Sequence, residues 1–276
     1  MTLDLEADRA LAIAAARTAG ALALDLQRTG VAHWLKGPGN PVTEADLAVD
    51  ALLKDVLGRA RPRHGWLSEE TADSMARLDA DAVWVVDPID GTRDYLRGQP
   101  GWAVSIALVV DGQVALAVLE APVLGCTFIA IHGRGAECNG QPIGVSGRGA
   151  GEAVRIPVEP HVLASPLWGA GFAGEAVDKP NSLALRLALV AEGRADAMVD
   201  GRTSAEWDVA AASLIVSEAG GIITDRIGQP LAFNKPVPEI AGLVAATPAH
   251  HAPMQKRLEA VLARLAARRR GTSASA

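Results

Sequence analysis

Trp84-Val85-Val86-Asp87-Pro88-Ile89-Asp90-Gly91-Thr92 sets an apolar run against two acids, a proline and a glycine. Val83-Trp84-Val85-Val86 predicts a short strand buried on both faces, because no polar residue interrupts it. A carboxylate at the end of such a strand is costly unless it is paired or holds a metal ion. Pro88 stiffens the turn, and Asp90 returns on the same side three residues later. Gly91 lets the backbone approach a ligand closely, and Thr92 opens a short helix whose free N–H groups favour an anion. One segment thus offers two metal-binding carboxylates and a phosphate-binding backbone. Taken alone, it is also compatible with an ordinary turn held by Asx hydrogen bonds.

Two further acidic features lie outward from it. Glu69 and Glu70 are adjacent in Leu67-Ser68-Glu69-Glu70-Thr71, just before the strand. Trp207-Asp208 opens a very apolar helix, where Asp is commonly only a cap. Five acids from three segments with no histidine among them suit Mg²⁺, which takes oxygen ligands, and do not suit zinc.

The 276 residues, 49% of them apolar, are enough for one compact unit with two lobes sharing a cleft. The formal charge of −6 and the lack of a basic stripe argue against binding of a nucleic-acid polymer. Cys126 and Cys138 lack companion histidines at zinc spacing and are expected to be reduced, buried thiols. Met1–Glu6 carries acid where a signal peptide needs base, and no apolar run approaches the ~20 residues of a membrane span. A soluble, cytoplasmic protein without a membrane partner is the expectation.

A helix is predicted from Leu5 to about Gln27, then a loop, Lys36–Pro41, then a second helix capped by Thr43 and running to about Arg59. Strands are expected at Ala103–Val110 and Val114–Leu119, joined by the hairpin signal Asp111-Gly112, and at Thr127–Ile131. The composition changes near Ser146–Gly151. That places a lobe boundary between residues 1–147 and 148–270, with 271–276 as a disordered tail. Beyond it, strands at Val154–Ile156, Ala195–Val199, Gly221–Thr224 and Ala241–Ala246 alternate with helices at Ser182–Glu192, Ala205–Ala219 and a final one to about Arg270. This alternation suggests a layered α/β lobe. Arg268-Arg269-Arg270 is read as favourable charge at a helix C-terminus, and His250-His251 as the exposed start of that helix.

Four blocks resemble the inositol monophosphatase superfamily of Mg²⁺-dependent, lithium-sensitive phosphatases. They are Val42-Thr43-Glu44-Ala45-Asp46, Ser68-Glu69-Glu70, Trp84–Thr92, and Trp207–Ala211 with Glu218-Ala219-Gly220-Gly221. The resemblance spans about residues 5–265. It implies an α/β (α+β) fold, a layered αβαβα sandwich of two lobes, and a homodimer. It also implies two or three Mg²⁺ ions. Glu69, Asp87 and the carbonyl of Ile89 would hold the first; Asp87, Asp90 and Asp208 would hold the second. Asp90, Gly91 and Thr92 would bind the phosphate. Glu69, Asp46 and the Thr92 hydroxyl would position and deprotonate the attacking water, and Glu70 and Trp207 would support these groups from behind.

The resemblance implies a small phosphorylated metabolite as the substrate. Inositol phosphatases carry a Glu about seven residues before the Trp-Asp pair, where this chain has Asp200. Several features resemble instead the bacterial 3′(2′),5′-bisphosphate nucleotidase branch, which acts on 3′-phosphoadenosine 5′-phosphate. They are residues 72–81, Thr92-Arg93-Asp94-Tyr95, Glu206-Trp207-Asp208 and Pro230–Pro236. That branch leads, inositol 1-phosphate follows, and a catalytically decayed regulatory protein is the reading of another class. Lys179, Ser182, Asp200 and Arg202, with Arg93, are the candidate substrate residues. Gly169–Gly174 matches G-x-G-x-x-G, but Pro180 cuts short any following helix and Ser165-Pro166 spoils a leading strand.

Overall fold

The computed structural model describes residues 4–37, 39–149, 151–169 and 171–273. Asp4 caps α1 (Leu5–Thr29) by accepting from the Ala7 N–H at 3.1 Å. Ala12, Ala15, Ala16, Ala19 and Ala23 form one buried face, and their short side chains let the helix lie close to its neighbours. The expected loop at 36–41 is instead part of an antiparallel hairpin, β1 (His33–Gly37) and β2 (Asn40–Thr43), with Pro38 outside the described residues. Thr43 caps α2 (Glu44–Ala60) in a capping box: it accepts from Asp46 N–H while Asp46 accepts from Thr43 N–H at 2.8 Å.

A seven-stranded sheet follows in the order β3 (Gly65–Ser68), β4 (Ala82–Asp90), β5 (Ala103–Val110), β6 (Gln113–Ala121), β7 (Cys126–Ile131), β8 (Ala136–Cys138), β9 (Gln141–Pro142). Only β3 and β4 run parallel. The short helix α3 (Thr92–Leu96) leaves the end of β4. The β5–β6 turn uses Asp111 at φ 49° and Gly112 at φ 75°, the left-handed pair that suits a two-residue hairpin. β3, the β1–β2 hairpin, β8 and β9 are too short for periodicity to mark them.

The rest of the chain gives β10 (Val154–Ile156), α4 (Pro160–Leu163), β11 (Gly174–Ala176), α5 (Leu183–Ala191), β12 (Ala197–Ala205), α6 (Glu206–Glu218), β13 (Ile222–Asp225), β14 (Glu239–Ala246) and α7 (His251–Ser273). Strands β12, β14 and β13 form a second, antiparallel sheet. α1 and α2 pack on one face of the large sheet. α5 and α6 fill the space between its other face and the small sheet, and α7 covers the far side. These are five layers, αβαβα. α5 and α6 are apolar almost all round because both of their faces are buried.

Several expectations need correction. His250 is buried, with Nδ1 2.8 Å from Thr247 Oγ1, and α7 begins at His251. Cys126 and Cys138 are free thiols but only half-buried, since β8 lies near the sheet edge. α7 reaches Ser273, so part of the expected tail is helical; residues 274–276 lie outside the described residues, as do the side chains of Arg269 and Arg270. No helix is long and apolar enough to cross a membrane among the described residues.

Candidate active site

The end of β4 is where the layers meet. Asp87 pairs with Ser105, but Asp90 pairs with Ala103, so three steps on β4 oppose two on β5. The extra residue is a β-bulge. Residues three apart on a regular strand face opposite sides, and the bulge brings both carboxylates to one side. Ile89 N–H donates to Asp87 Oδ1 at 3.0 Å and fixes that carboxylate. Gly91 then turns at φ 100°, where a Cβ would stand 2.6 Å from Gly101 O and 3.0 Å from Ser182 N. Conformation and space both demand glycine here.

Glu69 comes from the end of β3 and Asp208 from the first turn of α6. One carboxylate oxygen each of Glu69, Asp87 and Asp208 lies within 4.8 Å of the other two. Asp90 stands beside this trio but is gripped by the N-terminus of α5. Ser182 Oγ donates to it at 2.6 Å, Ala184 N–H at 2.7 Å and Leu183 N–H at 3.2 Å. Asp46 sits behind Thr92: the Thr92 hydroxyl can donate to Asp46 Oδ1 at 3.3 Å or to Ile89 O at 3.2 Å. Asp50, on α2, braces the acidic loop by accepting from Ser68 Oγ and, at 2.5 Å, from Thr71 Oγ1. Lys36 of β1 pairs with Glu70 and approaches Glu69 at 3.6 Å.

Burial, reinforced by the neighbouring carboxylates, pushes Asp87 and Asp208 well above the ordinary carboxylate range. Burial raises Glu69 to about 7 even though Lys36 opposes the shift. Asp90 is also raised by burial, less so because Ser182 and the α5 N–H groups hold its charged form. Like charges so close ionise together only if a cation joins them. An all-oxygen, histidine-free donor set of this density fits Mg²⁺.

The cleft in front has a volume of about 410 Å³ and is lined by Glu69, Asp87, Asp90, Gly91, Thr92 and Asp208, among others. The structure also brings Trp207, Asp200 and Arg202 to its wall. Asp200 and Arg202 are bound to each other, with Nε–Oδ1 at 3.0 Å and Nη2–Oδ2 at 2.7 Å. Ser182 is fully buried and touches Asp90 rather than the cleft surface. Lys179 stands apart: it lines a separate cavity and lies 3.7 Å from Glu159. Arg93 donates to Gly39 O.

Much of what resembled the nucleotidase branch is scaffold. Buried Arg77 bonds Asp73, Asn234 Oδ1 and Lys235 O, while buried Glu206 accepts from the N–H groups of Asn234 and Lys235. Arg186 was missed. It lies one helical turn after Ser182 on α5, and the Ser-x-x-x-Arg spacing was the one sequence signal for it. Lys36 and Asp50 had no signal, because their partners are distant in sequence.

Comparison with known proteins agrees with this geometry. The model of the inositol monophosphatase family matches residues 4–268. A Streptomyces griseus protein named glucose-1-phosphate thymidylyltransferase is 35% identical over 235 residues, 82% of this chain and 88% of that one. The inositol-1-monophosphatase of Mesorhizobium japonicum is 35% identical over 207 residues, 70% and 75% of the two chains. The crystal structure of the extragenic suppressor protein suhB of Bartonella henselae superposes with a TM-score of 0.79 at 30% identity, covering 91% of this chain and 98% of that one. A carboxylate trio facing a glycine-turned helix start, in a five-layered sandwich with these relatives, leaves one assignment: the chain belongs to the inositol monophosphatase family and is a metal-dependent phosphomonoester hydrolase.

Proposed function

We propose that this chain hydrolyses the phosphomonoester of a small metabolite by direct attack of water at a site holding two or three Mg²⁺ ions. Its leading substrate is 3′-phosphoadenosine 5′-phosphate. The observation that carries the hydrolytic reading is the convergence of Glu69, Asp87 and Asp208 on the Gly91–Thr92 turn. Glu69, Asp87 and the Ile89 carbonyl would hold one ion, and Asp87, Asp90 and Asp208 another. Bound Mg²⁺ lowers the pKa of water and stabilises charge on the leaving oxygen.

The chain's own groups do the rest. With its proton directed to Asp46 or Ile89 O, Thr92 Oγ1 keeps its lone pairs for the water and orients it. Glu69, a member of the trio, takes the water's proton. The backbone at Gly91–Thr92 holds the phosphate in line, since the first N–H groups of a helix have no intrahelical acceptor. Glu70, through Lys36, and Trp207 position their neighbours.

Arg93, Arg186 and Arg202 on the cleft wall favour a substrate with a second anionic group over a neutral polyol. Inositol 1-phosphate is the second reading, favoured by the name of the Mesorhizobium relative and by Asp200 on the wall. A homodimer belongs to the same proposal.

The test is phosphate release with Mg²⁺ from 3′-phosphoadenosine 5′-phosphate, inositol 1-phosphate, fructose 1,6-bisphosphate and histidinol phosphate at equal concentration. Release should cease in EDTA and fall at least about a thousandfold in Asp87→Asn. Release that survives either change defeats the metal-hydrolase reading; a large preference for inositol 1-phosphate reverses the order of substrates.

A further inference from the structure

β3 ends at Ser68, and residues 69–74 belong to no helix or strand. Glu69 therefore leaves the sheet on irregular backbone, where its N–H makes one long bond, to Val86 O at 3.4 Å. A Glu side chain has several free rotors. A carboxylate on such a loop needs an anchor if its oxygens are to stay in place.

Asp50 supplies that anchor from another element. Its Oδ1 accepts from Ser68 Oγ and its Oδ2 from Thr71 Oγ1 at 2.5 Å, so one carboxylate spans the Glu69-Glu70 dipeptide from both sides. Glu70 N–H closes the loop further, 3.5 Å from Ser68 Oγ. Asp50 is buried, and the two hydroxyls offset the cost of its charge there. Asp50, Ser68 and Thr71 stand behind the cleft and form no part of its lining.

The place of Asp50 on α2 adds a second constraint. It follows Asp46 by one helical turn on the same buried face. Side chains so spaced have Cβ atoms about 5–6 Å apart. Asp46 stands 3.3 Å from the Thr92 hydroxyl, while Asp50 holds the Glu69 loop. Thr92 and Glu69 come from the ends of different strands, yet both are referred to one rigid helix.

We infer that Asp50 is a positioning residue for the hydrolysis: by clamping Ser68 and Thr71 it fixes the Glu69 carboxylate relative to Thr92, with α2 as the common rail. The inference rests on the metal-hydrolase reading of the cleft.

Asp50→Ala, Asp50→Asn and Thr71→Val test it, with thermal melting in EDTA as the control for folding. Asp50→Ala removes both bonds. Thr71→Val removes one at nearly constant volume. Asp50→Asn removes the charge but keeps two polar atoms, since an amide can accept from one hydroxyl and donate to the other.

Calorimetry with Mg²⁺ needs no turnover. In Asp50→Ala one class of Mg²⁺ sites should weaken about 10- to 100-fold, with the rest unchanged within about threefold. Thr71→Val should show about a tenfold loss in that class, and Asp50→Asn should recover most of it. At saturating Mg²⁺, kcat of Asp50→Ala should fall about 10- to 100-fold alike for 3′-phosphoadenosine 5′-phosphate and inositol 1-phosphate, with KM within about threefold.

An Asp50→Asn as damaged as Asp50→Ala makes the charge and not the clamp responsible, and overturns the inference. So does equal weakening of every Mg²⁺ site, or a lower melting temperature with Mg²⁺ binding and kcat unchanged. A wild type that binds no Mg²⁺ overturns this inference and the hydrolase reading together. Weakening of one site class that Asp50→Asn restores, in a protein releasing no phosphate from any ester, defeats the hydrolase reading and leaves the clamp on Glu69 standing.

Discussion

Replacing Ser182 by alanine removes a single oxygen that joins the two halves of the site. That oxygen donates to Asp90 Oδ2 at 2.6 Å and accepts from Leu185 N–H at 2.9 Å as the cap of α5. Ser182 is wholly buried, so water cannot replace either bond without disturbing the packing. An N-cap of this type is worth about 1 kcal/mol and a hydrogen bond to a charged group about 1.5–3 kcal/mol. Because both act through one atom, we expect a combined loss of about 2–3 kcal/mol rather than their sum. Urea denaturation in EDTA at neutral pH should show the midpoint falling with an unchanged slope. Asp90 keeps Ala184 N–H and Leu183 N–H but loses the bond that sets its angle. The Mg²⁺ concentration for half-maximal phosphate release should therefore rise about 10- to 100-fold, with little change in KM for the ester. Stability within about 0.5 kcal/mol of wild type, or a change confined to ester KM, would refute this reasoning. The latter result would return Ser182 to the role of a substrate contact.

Gly91→Ala should destabilise by roughly 2–4 kcal/mol and lose most activity, because φ 100° and a Cβ 2.6 Å from Gly101 O admit no side chain. A well-folded, active G91A by circular dichroism and phosphate release speaks against the geometry of this turn. Glu206→Gln should cost about 2–4 kcal/mol by denaturant titration and leave substrate preference unchanged, since Glu206 anchors Asn234 and Lys235 from outside the cleft wall. A changed substrate order with unchanged stability contradicts that scaffold role. The acidic cluster also predicts an unusual pH dependence without metal. Glu69 is raised from 4.5 to about 7 by burial, so the folded protein binds a proton that the unfolded chain has released across that window. Stability in EDTA should be fully present below about pH 4.5, decline through pH 7 and then level off. Glu69 alone contributes on the order of 3 kcal/mol to the decline. Added Mg²⁺ should restore more at pH 8 than at pH 5, because metal and proton compete for the same oxygens. Stability rising from pH 5 to 7.5 in EDTA counts against a buried, metal-free carboxylate cluster.

The features legible in the chain were those that act over a few residues. Thr43 as a cap, the Asp111-Gly112 turn and the long apolar helices all follow from local backbone preferences and periodicity. The Asp87–Thr92 segment was legible for the same reason, since a proline, a glycine and two acids restrict the backbone wherever they are placed. The β1–β2 hairpin, the burial of His250 and the exile of Lys179 were not legible. Each depends on which surface packs against it, and short polar segments carry no period to announce that.

By itself, then, the sequence determined the chemistry of the centre: oxygen ligands, a strand end stiffened by proline and a glycine turn into a helix. Tertiary structure decided how that chemistry is held and aimed. Ser182 reaches Asp90 across 92 positions of chain, Thr92 reaches Asp46 across 46, and Lys36 reaches Glu70 across 34. The same packing turned Glu206 and Arg77 inward as scaffold and Arg186 outward to the cleft. A backbone preference is local and travels with the residue. A hydrogen bond between distant segments exists only once the core has brought α5 against the end of β4.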